Sequence, residues 1–159
     1  MRCKLKMTTS QEEYIPKDLS AELKMGMNEP ETANSEIDSF TVYAEGEILR
    51  DGNKIIIRYE ENGNAGMGNS VAELSFDKNE PKSITLARTG AISVIMCFKE
   101  GFRHTCVYNT EIMPFELCIY TKQIDNRLFD MKYIEIVYLV ELGGSCAQKT
   151  VLKMEIDTI

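Results

Sequence analysis

DSFTVYAEGEILRDGNKIIIRYEE, residues 38–61, decides the fold. Polar and apolar side chains alternate on both sides of a central Asp51-Gly52. Phe40, Val42, Ala44, Gly46 and Ile48 share one face of the first half, and Ile55, Ile57, Tyr59 and Glu61 share one face of the second. A period of two marks a strand buried on one side only. Asp-Gly between two such runs is a strong hairpin signal, because both central positions of the turn need positive φ. The stretch therefore reads as a long β-hairpin, with Lys54, Arg58 and Glu60 toward water.

The same rhythm continues to Ile156, with turn residues at nearly every break. The alternation predicts strands over Asn69–Asp77, Ser83–Arg88, Ala91–Phe98, Arg103–Asn109, Phe115–Lys122, Tyr133–Leu142 and Lys149–Asp157. Asn62-Gly63-Asn64-Ala65-Gly66, Thr89-Gly90, Glu100-Gly101 and Gly143-Gly144 separate them. Upstream, Arg2–Thr8 alternates as well, with Cys3, Leu5 and Met7 on one face. Residues 10–36 break the pattern: a short helix is expected at Leu19–Met25, between Asp18 as N-cap and Gly26, followed by an acidic loop. About eight to ten short strands with hairpin-length links predict an all-β, antiparallel, up-and-down barrel, since closure removes exposed edges.

At 159 residues the chain is read as a single domain, 1–159, with enough length to bury a core. A net charge of −7 argues against a nucleic-acid partner, which needs clustered Lys and Arg, and against an anionic membrane surface. No apolar run reaches signal-peptide or membrane-span length, so a cytoplasmic protein is expected. The five cysteines (Cys3, Cys97, Cys106, Cys118 and Cys146) are scattered and contain no CxxC. Buried free thiols are expected, rather than disulfides or zinc.

Several stretches together resemble the DUF1934 (YwiB-like) family of bacterial proteins, which has no assigned function. They are IIIRYEE (Ile55–Glu61), AGMGNSVAEL (Ala65–Leu74), ITLARTGAISVIMCFKEG (Ile84–Gly101), Tyr108-Asn109-Thr110 and IEIVYLVELGG (Ile134–Gly144). The resemblance runs from Arg2 to Ile156 and implies a calycin-like, lipocalin-type barrel. Two departures stand out: residues 10–36 form a longer link than usual, and a common glycine near Met113-Pro114-Phe115 is absent.

Parity separates lining from shell. Val94, Met96 and Phe98 are expected inside, as are Phe102, His104, Cys106 and Tyr108. Phe115, Leu117, Ile119, Ile134, Ile136, Tyr138, Leu152, Met154 and Ile156 complete the inward set. Arg88 shares the parity of Ile84 and Leu86, so a cation is expected in the interior, where an isolated charge is too costly. Either Arg88 pairs with Glu61 or caps carbonyls at the closed end, or it joins Tyr59, Tyr108 and Tyr138 to hold the acidic head of an apolar ligand. The candidate ligand-binding set is thus Arg88, Tyr59, Tyr108, Tyr138, Glu61 and His104, with no catalytic residue and no metal ligand.

Other motifs carry less. His104 is the only histidine, and His-x-Cys with Cys106 lacks a four-ligand pattern. As a nucleophile pair the two would stand roughly 7 Å apart on one strand, beyond hydrogen-bond reach. Residues 63–68 lack the Lys-Ser/Thr of a phosphate loop. Glu60 and Glu61 point to opposite faces.

These readings predict a non-enzymatic barrel without a cofactor, binding a small apolar or acidic ligand, with the helix and acidic loop of residues 10–36 as a lid. The alternative is an interaction module with a solid core. Outward Tyr43, Leu49, Ile95, Val107, Cys118, Tyr120, Val137 and Leu139 could then form a homodimer or partner face. An enzyme would require Arg88, His104 and Glu61 to converge.

Overall fold

The computed structural model of the chain describes residues 1–13, 37–61, 69–142 and 145–158. Ten strands follow one another among the described residues: β1 (Arg2–Glu13), β2 (Ile37–Asp51), β3 (Lys54–Glu61), β4 (Ser70–Asp77), β5 (Glu80–Gly90), β6 (Val94–Lys99), β7 (Arg103–Asn109), β8 (Pro114–Arg127), β9 (Tyr133–Leu142) and β10 (Ser145–Thr158). One helical turn, α1 (Leu128–Met131), joins β8 to β9. The hydrogen-bonded order β6-β5-β4-β3-β2-β1-β10-β9-β8-β7 is a meander whose first and last strands also pair.

Curling of this sheet brings its two edges, β6 and β7, together. Ser93 and Asn109 exchange backbone hydrogen bonds of 2.9 and 3.0 Å at one end of the seam. At the other end the Gly101 N–H donates to the Thr121 carbonyl at 2.9 Å, and the Thr121 N–H to the Phe102 carbonyl at 3.2 Å. Between these points no backbone hydrogen bond crosses. Alternation along a strand turns the groups of Ile95, Cys97, Thr105 and Val107 toward the gap, as it does those of Ser93 and Asn109. The result is a nearly closed ten-stranded antiparallel barrel of calycin type.

Interior packing divides the barrel into a solid half and a hollow half. Leu5, Ile55, Ile57, Leu74, Ile84, Leu86, Phe98, Ile119, Ile124, Ile134, Ile136 and Met154 are almost wholly buried and fill the end that carries the tight turns. Leu128 of α1 is buried there, and Phe129 meets Phe76 edge-on with centroids 6.4 Å apart. The other end is bounded by Glu13, Ile37, Glu61, Ser70 and the turns near Gly90 and Thr110, and there the inward residues become larger, fewer and more polar.

Glycine is required where the wall comes close to itself. Gly90 has φ +137°, and a Cβ there would lie 2.5 Å from the Asn69 carbonyl oxygen. At Gly46, inward on β2, a Cβ would lie 2.5 Å from the Arg58 carbonyl oxygen and 3.1 Å from Tyr59 Cβ. The β2–β3 ladder also begins at this position, Gly46 opposite Tyr59, so the bare backbone lets the two strands converge.

Several expectations are corrected. β1 does not stop before Ser10 but runs to Glu13, its ladder continuing through Ser10–Ser39, Gln11–Asp38 and Glu12–Ile37. Both faces are polar there, which hides the period. β8 passes Lys122 and continues to Arg127, because a register shift between Thr121 and Gln123 resets the parity and turns Ile124 inward. Phe102 is 58% exposed rather than lining, since it sits in the turn before β7 with the Lys99 ammonium 4.9 Å from its ring centroid. Leu139, outward by parity, is buried beside its ladder neighbours Tyr120 and Lys149. Cys3 and Cys106 are buried free thiols, but Cys97 is exposed on the outer face of β6 and Cys118 is half-buried. The helix expected at Leu19–Met25, its proposed lid role, the turn Asn62–Gly66 and Gly143-Gly144 lie outside the described residues.

Candidate functional site

The hollow half holds a cavity of about 320 Å³, equal to the share of roughly ten waters in the liquid. Met7, Met96, Leu117 and Leu152 form its floor above the packed core. Val42, Val140 and the tyrosines Tyr59, Tyr108 and Tyr138 form its wall. Phe40 and Phe115 are 36% and 42% exposed, which places them at the rim. Thr9 and Gln11 of β1 and Gln148 and Thr150 of β10 add polar groups along one side.

Arg88 enters from β5, opposite Ala72 of β4, whose small side chain leaves room for it. Glu61 ends β3. Arg88 Nε donates to both Glu61 oxygens, at 3.2 and 3.1 Å, and the side chains are only 12% and 14% exposed. Burial alone works against the Arg88 charge. The adjacent Glu61 carboxylate, with Tyr59, Tyr108 and Tyr138 around it, more than offsets that, so the guanidinium pKa is raised and the group stays charged. The pair uses one edge of the guanidinium. Nη1 lies 3.8 Å from Met96 Sδ, and Nη2 donates to no described residue.

The tyrosines are tied to this pair. Burial is the main reason the Tyr59 hydroxyl pKa is pushed up strongly; Arg88 opposes the shift, while the nearby Glu61 carboxylate adds to it. Burial likewise raises Tyr138, against the effects of Arg88 and of a hydrogen bond with Thr150. The Tyr138 ring rests on Phe98, centroids 5.0 Å apart, so the wall is seated on the core. Tyr108 stacks on Phe115 at 5.3 Å with 29° between the rings, fixing the rim.

Five of the six residues singled out by parity thus meet in one cavity: Arg88, Glu61, Tyr59, Tyr108 and Tyr138. His104 does not join them. Its Nε2 lies 3.3 Å from the Ile95 carbonyl oxygen, across the seam on the neighbouring strand. The structure brings Arg88 and Glu61 together beside the cavity, not at the closed end. Met7, Thr9, Gln11, Phe40, Val42, Val140, Gln148 and Thr150 were not expected in the site. Carrying the parity of Cys3, Leu5 and Met7 past Thr8 finds Thr9 and Gln11, and the ladder of β1 with β10 then brings Thr150 beside Gln11. Among the described residues, no group of three or more His, Cys, Asp and Glu could hold a metal ion. No described helix is long and apolar enough to cross a membrane.

Residues 27–154 match the family described as a domain of unknown function, DUF1934. The chain belongs to the DUF1934 family. Its fold is similar to that in the crystal structure of the ywiB protein from Bacillus subtilis, with a TM-score of 0.65 at 17% identity, over 99% of this chain and 94% of that one. At that identity the likeness concerns the fold. No curated protein matches the chain.

Proposed function

We propose that this DUF1934 barrel binds one small, partly apolar ligand in the hollow half of its interior, without chemistry on it. The observation that carries this is the cavity itself: about 320 Å³ of space with an apolar floor and wall and one cluster of convergent polar groups. Ligand pockets have this composition and span about 300–1,000 Å³. A solid barrel acting through its outer face has less support, since half of the interior is unfilled and Leu139 is covered. Exposed Tyr43, Ile95 and Val107 are where two copies would meet if the chain dimerises. An enzyme built on Arg88, His104 and Glu61 has less support too, because His104 stands apart from the other two. A reducing cytoplasm suits the exposed thiol of Cys97.

Native mass spectrometry of freshly purified protein, with titration of an apolar fluorescent dye, tests the reading. The wild-type protein is expected to retain a small ligand or bind dye one-to-one, and Val140→Phe, which narrows the cavity with a bulkier side chain, to weaken both. Filling a void is tolerated by the fold, so the variant is expected to keep its stability to within about 1 kcal/mol. No retained mass, with dye bound equally by both proteins, would refute the proposal.

A further inference from the structure

Glu61 stands where the carboxylate of a ligand would be expected. It accepts from Arg88 Nε through both oxygens, and Tyr59 lines the cavity beside it. An arginine and a tyrosine converging on one carboxylate is the arrangement that would grip the head of a fatty acid. Here the protein supplies that carboxylate from its own β3. Among the described residues no lysine and no second arginine lines the cavity, so that lining carries one positive and one negative charge, and these neutralise each other.

A carboxylate entering this space would meet Arg88 with its charge already matched and would lie beside Glu61. Like charges brought together in a partly dehydrated site are strongly disfavoured. An uncharged carbonyl meets no such opposition. Among the described residues, Nη2 of Arg88 donates to none, and Nη1 meets the Met96 sulfur at 3.8 Å. Thr9, Gln11, Gln148 and Thr150 offer further neutral polar groups along the same wall.

We infer that Glu61 fills the anion subsite of the cavity, so that the barrel selects an uncharged, carbonyl-bearing apolar ligand, such as an amide, over a carboxylate. The inference rests on the binding reading above and names the ligand class. The cavity holds on the order of ten non-hydrogen atoms if each takes the ~30 Å³ of a water. Octanamide and octanoate match that size and chain length and differ only at the head, a neutral carboxamide with N–H donors against a carboxylate that only accepts.

Competition of each compound against the bound dye, followed with isothermal titration calorimetry, gives the answer. The wild-type protein is expected to bind octanamide about tenfold or more tighter than octanoate. In Glu61→Gln, which frees the Arg88 charge, the order is expected to reverse. The wild-type comparison stands alone if the variant fails to fold. Octanoate binding the wild-type protein as tightly as octanamide overturns the ligand class and leaves the binding reading intact. A folded Glu61→Gln with unchanged preference overturns the role given to Glu61. Dye binding that neither compound displaces also overturns the class, whereas absence of all binding, dye included, removes the binding reading with it.

Discussion

Thr121 carries the one buried side-chain oxygen among the described residues that has no hydrogen-bond partner. Its backbone is fully used, holding the turn at Gly101 and Phe102, while the buried Oγ1 is left without a partner. An unpaired buried hydroxyl costs about 1–3 kcal/mol, and removing it without changing side-chain shape recovers part of that. Thr121→Val is therefore expected to raise stability by about 1 kcal/mol, read as a higher urea midpoint at an unchanged slope. A destabilised variant would mean that Oγ1 makes a contact that matters. At this scale the sequence was informative for residues deep within a strand. Arg88 and Glu61 lie on runs of regular alternation, so parity placed both in the interior, and the cost of a lone buried charge left their pairing as one of several alternatives, beside capped carbonyls and a ligand's acidic head. Phe102 and His104 failed for different reasons. Phe102 belongs to a turn, where period two does not apply, and His104 lies where the barrel wall is open, so a lining position did not bring it to the cavity.

Among the elements, the seam between β6 and β7 is the weakest join. The amides of Ile95, Cys97, Thr105 and Val107 face it without a backbone acceptor, while the ladders of β1 with β2 and β10 are continuous over eleven residue pairs each. His104 spans part of the gap by reaching the Ile95 carbonyl, and Glu100 accepts the Ile124 N–H at 2.9 Å where β8 runs past the end of β7. Hydrogen exchange is expected to be faster at Ile95, Cys97, Thr105 and Val107 than at Leu5 and Ile57 by roughly two orders of magnitude or more. Equal protection across both sets would show the seam to be as firmly closed as the rest of the wall. No sequence signal marks this join: β6 and β7 each alternate as well as any paired strand. The hairpin between β2 and β3 was legible because turn chemistry is local, but its turn is shifted by one. Asp51 pairs with Lys54, Gly52 and Asn53 make the turn, and of these only Gly52 has positive φ. The bulge at Lys122 was not, because one inserted residue makes the following segment look out of phase, and the strand seems to end where it merely changes face. The helical turn α1 was hidden for the same reason, lying just beyond the shifted segment.

Across the molecule, stability and the cavity are coupled through buried tyrosines. Burial chiefly raises the Tyr59 and Tyr138 pKa values, so both hydroxyls remain protonated in the fold at pH values where an unfolded chain begins to ionise. The sign follows directly. Below the unfolded value of about 10 the contribution is fully present, and it is lost as pH climbs from there toward the folded values. For the fully buried Tyr59 the loss is expected at up to about 1.4 kcal/mol per pH unit. Urea unfolding between about pH 9 and about pH 11.5 should show a shallower alkaline loss for Tyr59→Phe than for the wild-type protein. Parallel curves would assign the alkaline sensitivity to other groups. The floor of the cavity has a consequence of its own. Two of its members, Met7 and Met96, are unbranched thioethers with several rotatable bonds, and such side chains reshape around a guest where β-branched residues would resist. On the binding reading proposed above, discrimination would concentrate at the polar cluster while plasticity accommodates the buried tail: neighbouring chain lengths would be near-equivalent guests, told apart by their head groups.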